Sequence, residues 1–171
     1  MTDPIDTLAD LFKSIMDRKA GAPTRIVANK MAIIKVLKEN YLGGARATYS
    51  GSCDSGQIDD VRFWPGNITV ADALNPDARI LKENSGIPDV SLQVLKAKDR
   101  WNNPGVPESL QTVTLTEAIE ELLYDWLESN HGGWENNDGA DGHMDLNVET
   151  GEVTFTHNIN VTSQETETET L

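Results

Sequence analysis

The stretch LTEAIEELLYDWLESNHGGWENNDGADGHMDLNVETGEVTFTHNINV, residues 115–161, changes its hydrophobic period once, and that change decides the fold. In its first third, Ala118, Ile119, Leu122, Leu123, Trp126 and Leu127 recur at spacings of three and four, the pattern of one buried helix face. Thr114 and Glu117 have capping-box spacing, so each can satisfy an orphan backbone donor of the first turn. Asn130-His131-Gly132-Gly133 stops the helix. From His143 the period is two: HMDLNV (143–148) and EVTFTHNINV (152–161) alternate apolar and polar, and ETGE (149–152) turns between them, which predicts a hairpin.

Working outward, ARATYS (45–50) and QIDDVRFW (57–64) predict a second hairpin around GSCDSG (51–56). Further towards the N-terminus, Ile5, Leu8, Leu11, Phe12, Ile15 and Met16 form one helical stripe, with Asp3 as cap and Pro4 at the first position. AGAP (20–23) reads as a breaker. A second helix follows from Thr24, its stripe Val27, Met31, Ile34, Leu37 and Tyr41, ended by LGG (42–44), where glycine can take the left-handed conformation. Residues 65–89 hold too many Pro, Gly and Asn for a long element; VSLQVLKA (90–97) is a candidate strand and RWNNPGVPES (100–109) a loop. The expected class is α+β: an antiparallel sheet of about four strands, made of two hairpins, with two to three helices on one face. The expected organisation is an N-terminal helix over 1–22, a single domain over 23–162 and a disordered acidic tail over 163–171.

Charge is distributed unevenly over the 171 residues, whose net charge is −14. Residues 1–46 hold eight of the fourteen Lys and Arg, whereas residues 101–171 hold none against fifteen Asp and Glu. Direct nucleic-acid binding by the C-terminal half is therefore not expected, and attraction to a basic protein surface is. On the outer face of the acidic helix 115–129, Glu117, Glu120, Glu121, Asp125 and Glu128 are the expected docking residues, together with the final hairpin. Glu117/Glu121 and Glu121/Asp125 are like charges four apart, which something distant in sequence or outside the chain must relieve. The mean hydropathy of −0.42, the lone Cys53, the missing signal-peptide pattern and the absence of any apolar run near ~20 residues lead to the expectation of a cytoplasmic chain that spans no membrane.

Two polar loops are the candidate sites. In the first, Cys53 lacks a nucleophile signature and Asp54 beside it disfavours a thiolate. Ser52 and Ser55 do not sit in a strand–elbow–helix pattern. Asp54 could be a ligand or anchor, and the default is a tight turn in which Asp54 and the serines bond backbone amides. The second loop offers Glu135, Asn137, Asp138, Asp141 and Asp145, hard oxygens that suit Ca²⁺ or Mg²⁺, but neither Asp-Gly pair gives an EF-hand register, so no cofactor is required. If the hairpins are neighbours, Asp54, Gln57, Glu135, Asn137 and Asp138 could share one cleft; separation beyond a Debye length of ~8 Å would exclude that.

The pairing of YSGSCDSGQID with HGGWENNDGADGHMDLNVETGEVTFTHN resembles a family of uncharacterised bacterial proteins, a domain of unknown function with Gly-Ser-x-Asp-Ser-Gly-Gln and Gly-Trp-Glu-Asn-Asn-Asp-Gly motifs. The resemblance covers roughly residues 25–162 and carries over Gly51, Ser52, Asp54, Ser55, Gly56 and Gln57, then Gly133, Trp134, Glu135, Asn136, Asn137, Asp138 and Gly139. Cys53 departs from it, standing where glycine is expected, and the acidic tail looks like an extension. It implies an α+β domain of bacterial, often mobile-element origin, and assigns no reaction. The leading functional expectation is a small interaction or accessory protein from a phage, plasmid or defence locus, docking on a basic partner and in one version imitating a phosphate backbone. One alternative is a hydrolytic or metal-dependent enzyme with Asp54, Glu135 and Asp138 as ligands or base and Ser52 or His143 assisting; another is that the loop motifs only stabilise the fold.

Overall fold

The two hairpins are the two halves of one antiparallel sheet. The computed structural model describes residues 8–66, 90–96 and 109–168, with side chains from residue 21 onward. In chain order the elements are α1 (Leu8–Glu39), β1 (Leu42–Ser52), β2 (Ser55–Pro65), β3 (Ser91–Lys96), β4 (Ser109–Thr114), α2 (Leu115–Asn130), β5 (Ala140–Asn147) and β6 (Val153–Ile159). The four-stranded sheet runs β2-β1-β5-β6, so the chain leaves after the first hairpin, builds β3, β4 and α2, and returns to lay β5 beside β1. The register at that junction pairs Ala45 with Leu146 and Ala47 with Met144. The fold is α+β, and among the described residues two helices and the smaller β3–β4 sheet pack against the larger one.

Alternation sorts the large sheet into a buried and an open face. Ala45, Ala47 and Tyr49 of β1, Val61 and Phe63 of β2, and Met144 and Leu146 of β5 are buried with Ile33 and Leu37 of α1. Leu115, Ala118, Ile119, Leu122, Leu123 and Leu127 of α2 close the same core, to which β3 and β4 add Leu92, Val94 and Val113. Burial of each such Val, Leu, Ile, Met or Phe side chain stabilises by about 1.5–3 kcal/mol. The Thr114–Glu117 capping box forms at the start of α2, and the Leu115 N–H donates to the Val90 carbonyl (3.0 Å), tying β4 and α2 to β3. β4 itself falls where the sequence offers only SLQTVT, too short and too polar to stand out from the preceding loop.

Three expectations for the N-terminal part are overturned. AGAP does not break the chain: α1 is one helix of 32 residues with Pro23 inside it. Proline costs about 3 kcal/mol within an isolated helix, and here Ala22, Arg25 and Asn29 are all buried on the flanking turns. The buried stripe is Ala22, Arg25, Asn29, Ile33 and Leu37, whereas Val27 and Met31 are 58% and 67% exposed and Tyr41 88%. Two polar residues displace the apolar ones because each has a partner inside: Arg25 pairs with Asp125, and Asn29 exchanges two bonds of 2.8 Å with the N–H and C=O of Leu95, as a neighbouring strand would. The left-handed residue after α1 is Tyr41 (φ 58°) and not a glycine. Gly43 and Gly44 already belong to β1, where a Cβ on Gly44 would lie 2.3 Å from the Trp64 ring. The side chains of the expected stripe from Ile5 to Met16, the Asp3 and Pro4 cap, residues 67–89 and 97–108 and the tail end 169–171 lie outside the described residues. Among the described residues, no helix is long and apolar enough to cross a membrane.

Candidate functional site

The two polar loops meet. Ser52 pairs with Ser55, so Cys53 and Asp54 are the two central residues of a β-hairpin turn. Both have positive φ, 52° and 67°, the signature of a type I′ turn, which twists with the strands but normally calls for Asn or Asp followed by Gly. This strained pair is held from outside. The Cys53 N–H donates to the Asn137 carbonyl (3.0 Å) and the Asp54 N–H to the Glu135 carbonyl (3.1 Å), so the second loop acts as a clamp on the first.

Trp134 is the centre of that clamp. It is buried, and its ring lies over the cross-strand pair Gly51 and Gly56; a Cβ on Gly56 would stand 2.2 Å from the ring and one on Gly51 2.7 Å. Tyr49 meets the same ring edge-on, with centroids 5.3 Å apart. Gly139 (φ 72°) completes the fit, because a Cβ there would lie 1.8 Å from the Gly51 carbonyl oxygen. These glycines are required by close packing, aromatic over glycine, as cross-strand pairs that lack side chains allow.

Several of the polar side chains hold local structure. The Ser55 hydroxyl donates to the Ser52 carbonyl (3.3 Å), and Gln57 Nε2 and the Ser50 hydroxyl donate to Asp59 Oδ1 (3.2 and 3.0 Å). Asp59 is the extra residue of a β-bulge, where the register steps from Thr48↔Asp60 to Tyr49↔Ile58. Asp138 Oδ2 accepts the Thr162 N–H (2.8 Å), fixing the chain that leaves β6. Two clefts flank this end of the sheet. One of about 510 Å³ runs along Ser50, Ser52, Ser55, Gln57, Asp141 and Asn160; one of about 340 Å³ is bounded by His131, Trp134, Asn137, Asp138, His157 and Asn160. His143 does not belong here. It pairs with Thr48, four residues back along β1 from Ser52, about 13 Å at ~3.3 Å per residue, and faces Asp145 on the open side (3.8 Å). No group of three or more His, Cys, Asp or Glu placed to hold a metal forms among the described residues.

An aromatic cluster that the sequence reading missed adjoins the second cleft. The His131 and His157 rings stack with centroids 3.7 Å apart, and Trp126 stacks on Phe155 at 4.0 Å. The Tyr49 hydroxyl lies 2.6 Å from His157 Nδ1 and 3.3 Å from the Thr156 carbonyl oxygen. Burial, aided by the negative charge of Asp141, pushes the Tyr49 pKa up to about 12, so the hydroxyl keeps its proton at neutral pH. Donated along the shorter contact, that proton places the neutral ring's own proton on Nε2. Burial and the neighbouring His131 hold His157 below the usual histidine range, against a smaller opposing pull from Asp141. One signal was available: His157 occupies an apolar phase of the alternation Val153, Phe155, His157, Ile159.

The acidic helix face is corrected. Asp125 is not a docking residue: it is 2% exposed and its carboxylate receives two bonds of 3.0 and 2.9 Å from the Arg25 guanidinium. Glu121 pairs with Lys96 at 2.7 Å. Glu117 is engaged in the cap, whose backbone and side-chain bonds from Thr114 hold its carboxyl below the usual range. The relief of like charges along α2 is thus internal, from Arg25 and Lys96.

The model of a family described as "Family of unknown function (DUF6878)" matches residues 26–171, and the chain belongs to that family. The match begins within α1, takes in both hairpins and α2, and runs through the acidic tail, which is no extension beyond it. No curated protein and no solved structure matches the chain.

Proposed function

We propose that this chain is a small acidic interaction protein that uses the two-loop end of its sheet to dock on a basic surface of a partner protein. The observation that carries the reading is the charge of the segments gathered there. Residues 50–59 and 131–168 contain no Lys or Arg, and they bring Asp54, Asp59, Glu135, Asp138 and Asp141 to one end of β1, β2 and β5, with Glu165 and Glu167 on the exposed chain beyond β6. The carboxylates of α2, by contrast, include one that is buried and one paired with Lys96. An acidic end gathered from segments that hold no Lys or Arg attracts a basic surface and steers its approach.

In this reading the Gly-Ser-x-Asp-Ser-Gly-Gln and Gly-Trp-Glu-Asn-Asn-Asp-Gly segments are the family's signature, because together they build a rigid docking end. The setting is the cytoplasm of a bacterium, in an accessory or inhibitory role encoded by a mobile element or defence locus. A partner that binds nucleic acid would be inhibited by competition for its basic groove. The test is a tagged pull-down from the native host at low and at high salt, with the wild type and with Asp54→Asn/Glu135→Gln/Asp138→Asn. A stoichiometric partner that is lost at high salt and lost with the triple variant is expected. Retention by the triple variant, or insensitivity to salt, would refute docking through this end.

A further inference from the structure

The two edges of the large sheet are built differently. β2 carries the devices that keep an edge from pairing: the Asp59 bulge, the charges Asp60 and Arg62, and Pro65 at its end. β6, VTFTHNI, carries none of them. It has no charge, no proline and no glycine, and its register with β5 is unbroken from Val153 to Ile159. In a chain of net charge −14 the run from Val153 to Gln164 is free of charged residues.

The direction of its backbone groups follows from the ladder. The Asn160 N–H donates to Gly139 O and the Asn147 N–H to Glu152 O, both 3.0 Å. With the β5–β6 register this makes Asp141/Asn158, His143/Thr156 and Asp145/Thr154 the bonded pairs, because such pairs alternate in an antiparallel ladder. The N–H and C=O groups of Val153, Phe155, His157 and Ile159 therefore point away from β5, and β6 is the last strand of the described sheet. Beside this edge Ile159 and Val161 are 72% and 83% exposed.

We propose that the outer edge of β6 pairs with β6 of a second copy of this chain, antiparallel across a two-fold axis at Thr156, joining two four-stranded sheets into one. The occupant is argued from self-complementarity. Only a register pairing outward-pointing residues with each other can form the bonds, and the one centred on Thr156 uses the whole strand. It sets Val153 against Ile159 and Phe155 against His157 on the helix-covered side, and Thr154 against Asn158 and Thr156 against Thr156 on the open side. Every pair is apolar, aromatic or hydroxyl/amide, the combinations that stabilise cross-strand neighbours. No carboxylate of the strand meets its copy, which at any acidic edge of this chain would repel. The geometry also sends the two acidic loop ends to opposite ends of the joined sheet, so each remains open.

The test is the oligomeric state of the full chain by light scattering coupled to size exclusion over a concentration series. The wild type is expected at twice its 18.8 kDa. Thr156 is exposed on the open face, so Thr156→Glu and Thr156→Lys leave the fold intact by circular dichroism, yet set like charges on the axis. Each variant alone is expected to weaken the dimer up to about fivefold, and an equimolar mixture of the two to restore it. A wild type that stays monomeric would overturn self-pairing and leave the edge to a strand from another protein. A dimer indifferent to both substitutions would overturn it as well, placing the contact elsewhere.

Discussion

At the residue scale, the loop around Cys53 is neither a nucleophile elbow nor a free turn; it is a type I′ turn with unsuitable residues, stabilised by its neighbour. Cys53 and Asp54 each hold a left-handed conformation that costs a non-glycine residue about 1–2 kcal/mol. Asp54→Gly should therefore stabilise the fold by about 0.5–1 kcal/mol in urea denaturation, while removing the carboxylate that the docking reading uses. Trp134 supplies the other half of the stabilisation. Gly56→Ala should cost about 1–3 kcal/mol by overpacking against the ring. In a Trp134→Ala background that cost should largely vanish; a full-sized cost in both backgrounds would show that the ring is not what the glycine accommodates. The loop composition Gly-Ser-x-Asp-Ser-Gly was visible in the sequence. The need for bare glycines under an indole was not, because the indole lies about eighty residues away.

At the element scale, α1 is the helix whose sequence misleads. Hydrophobic periodicity picks out Val27, Met31 and Tyr41, yet the face turned inward contains Arg25 and Asn29. The periodic signal rests on the assumption that buried means apolar, and it fails where a polar side chain finds a complete set of partners inside. Arg25 and Asp125 join α1 to α2 across one hundred residues. Removing one partner leaves a buried charge, so Asp125→Ala and Arg25→Ala should each destabilise by about 3–5 kcal/mol, whereas Arg25→Met combined with Asp125→Leu should recover most of the loss. Thermal or urea unfolding of the three variants settles this: a double variant that loses as much as the two singles together would mean that the pair is not energetically coupled. The prediction of a solvent-facing Asp125 came from its position beside Glu121 and Glu128, and nothing local to α2 distinguishes it from them.

At the scale of the whole molecule, the pH response should separate into two windows. The His157 pKa is depressed in the fold, mainly by burial and next by His131. The unfolded chain then binds the proton first as pH falls, so this contribution to stability is complete above the ordinary histidine pKa of about 6.5 and declines as pH falls through the lower folded value. The Glu117 cap, also depressed, is lost only below the carboxylate range. Melting temperature should therefore fall as pH drops below about 6.5 in the wild type, and the slope should flatten in His157→Gln, which keeps an acceptor for the Tyr49 hydroxyl without titrating. An unchanged slope would remove His157 as its source. The sequence by itself determined the class of fold: period-two hairpins near residues 50 and 150, a capped amphipathic α2 and the one-sided charge are all local patterns, set by side-chain spacing along a few turns or strands. Only the tertiary structure decided which polar residues are inside, that α1 runs unbroken through Pro23, that the two polar loops clamp each other, and that His157 lies under His131 and against Tyr49. Each of those rests on partners between twenty-six and about one hundred and eight positions apart, a pairing that no local pattern encodes because its energy exists only once the chain has brought the two groups together.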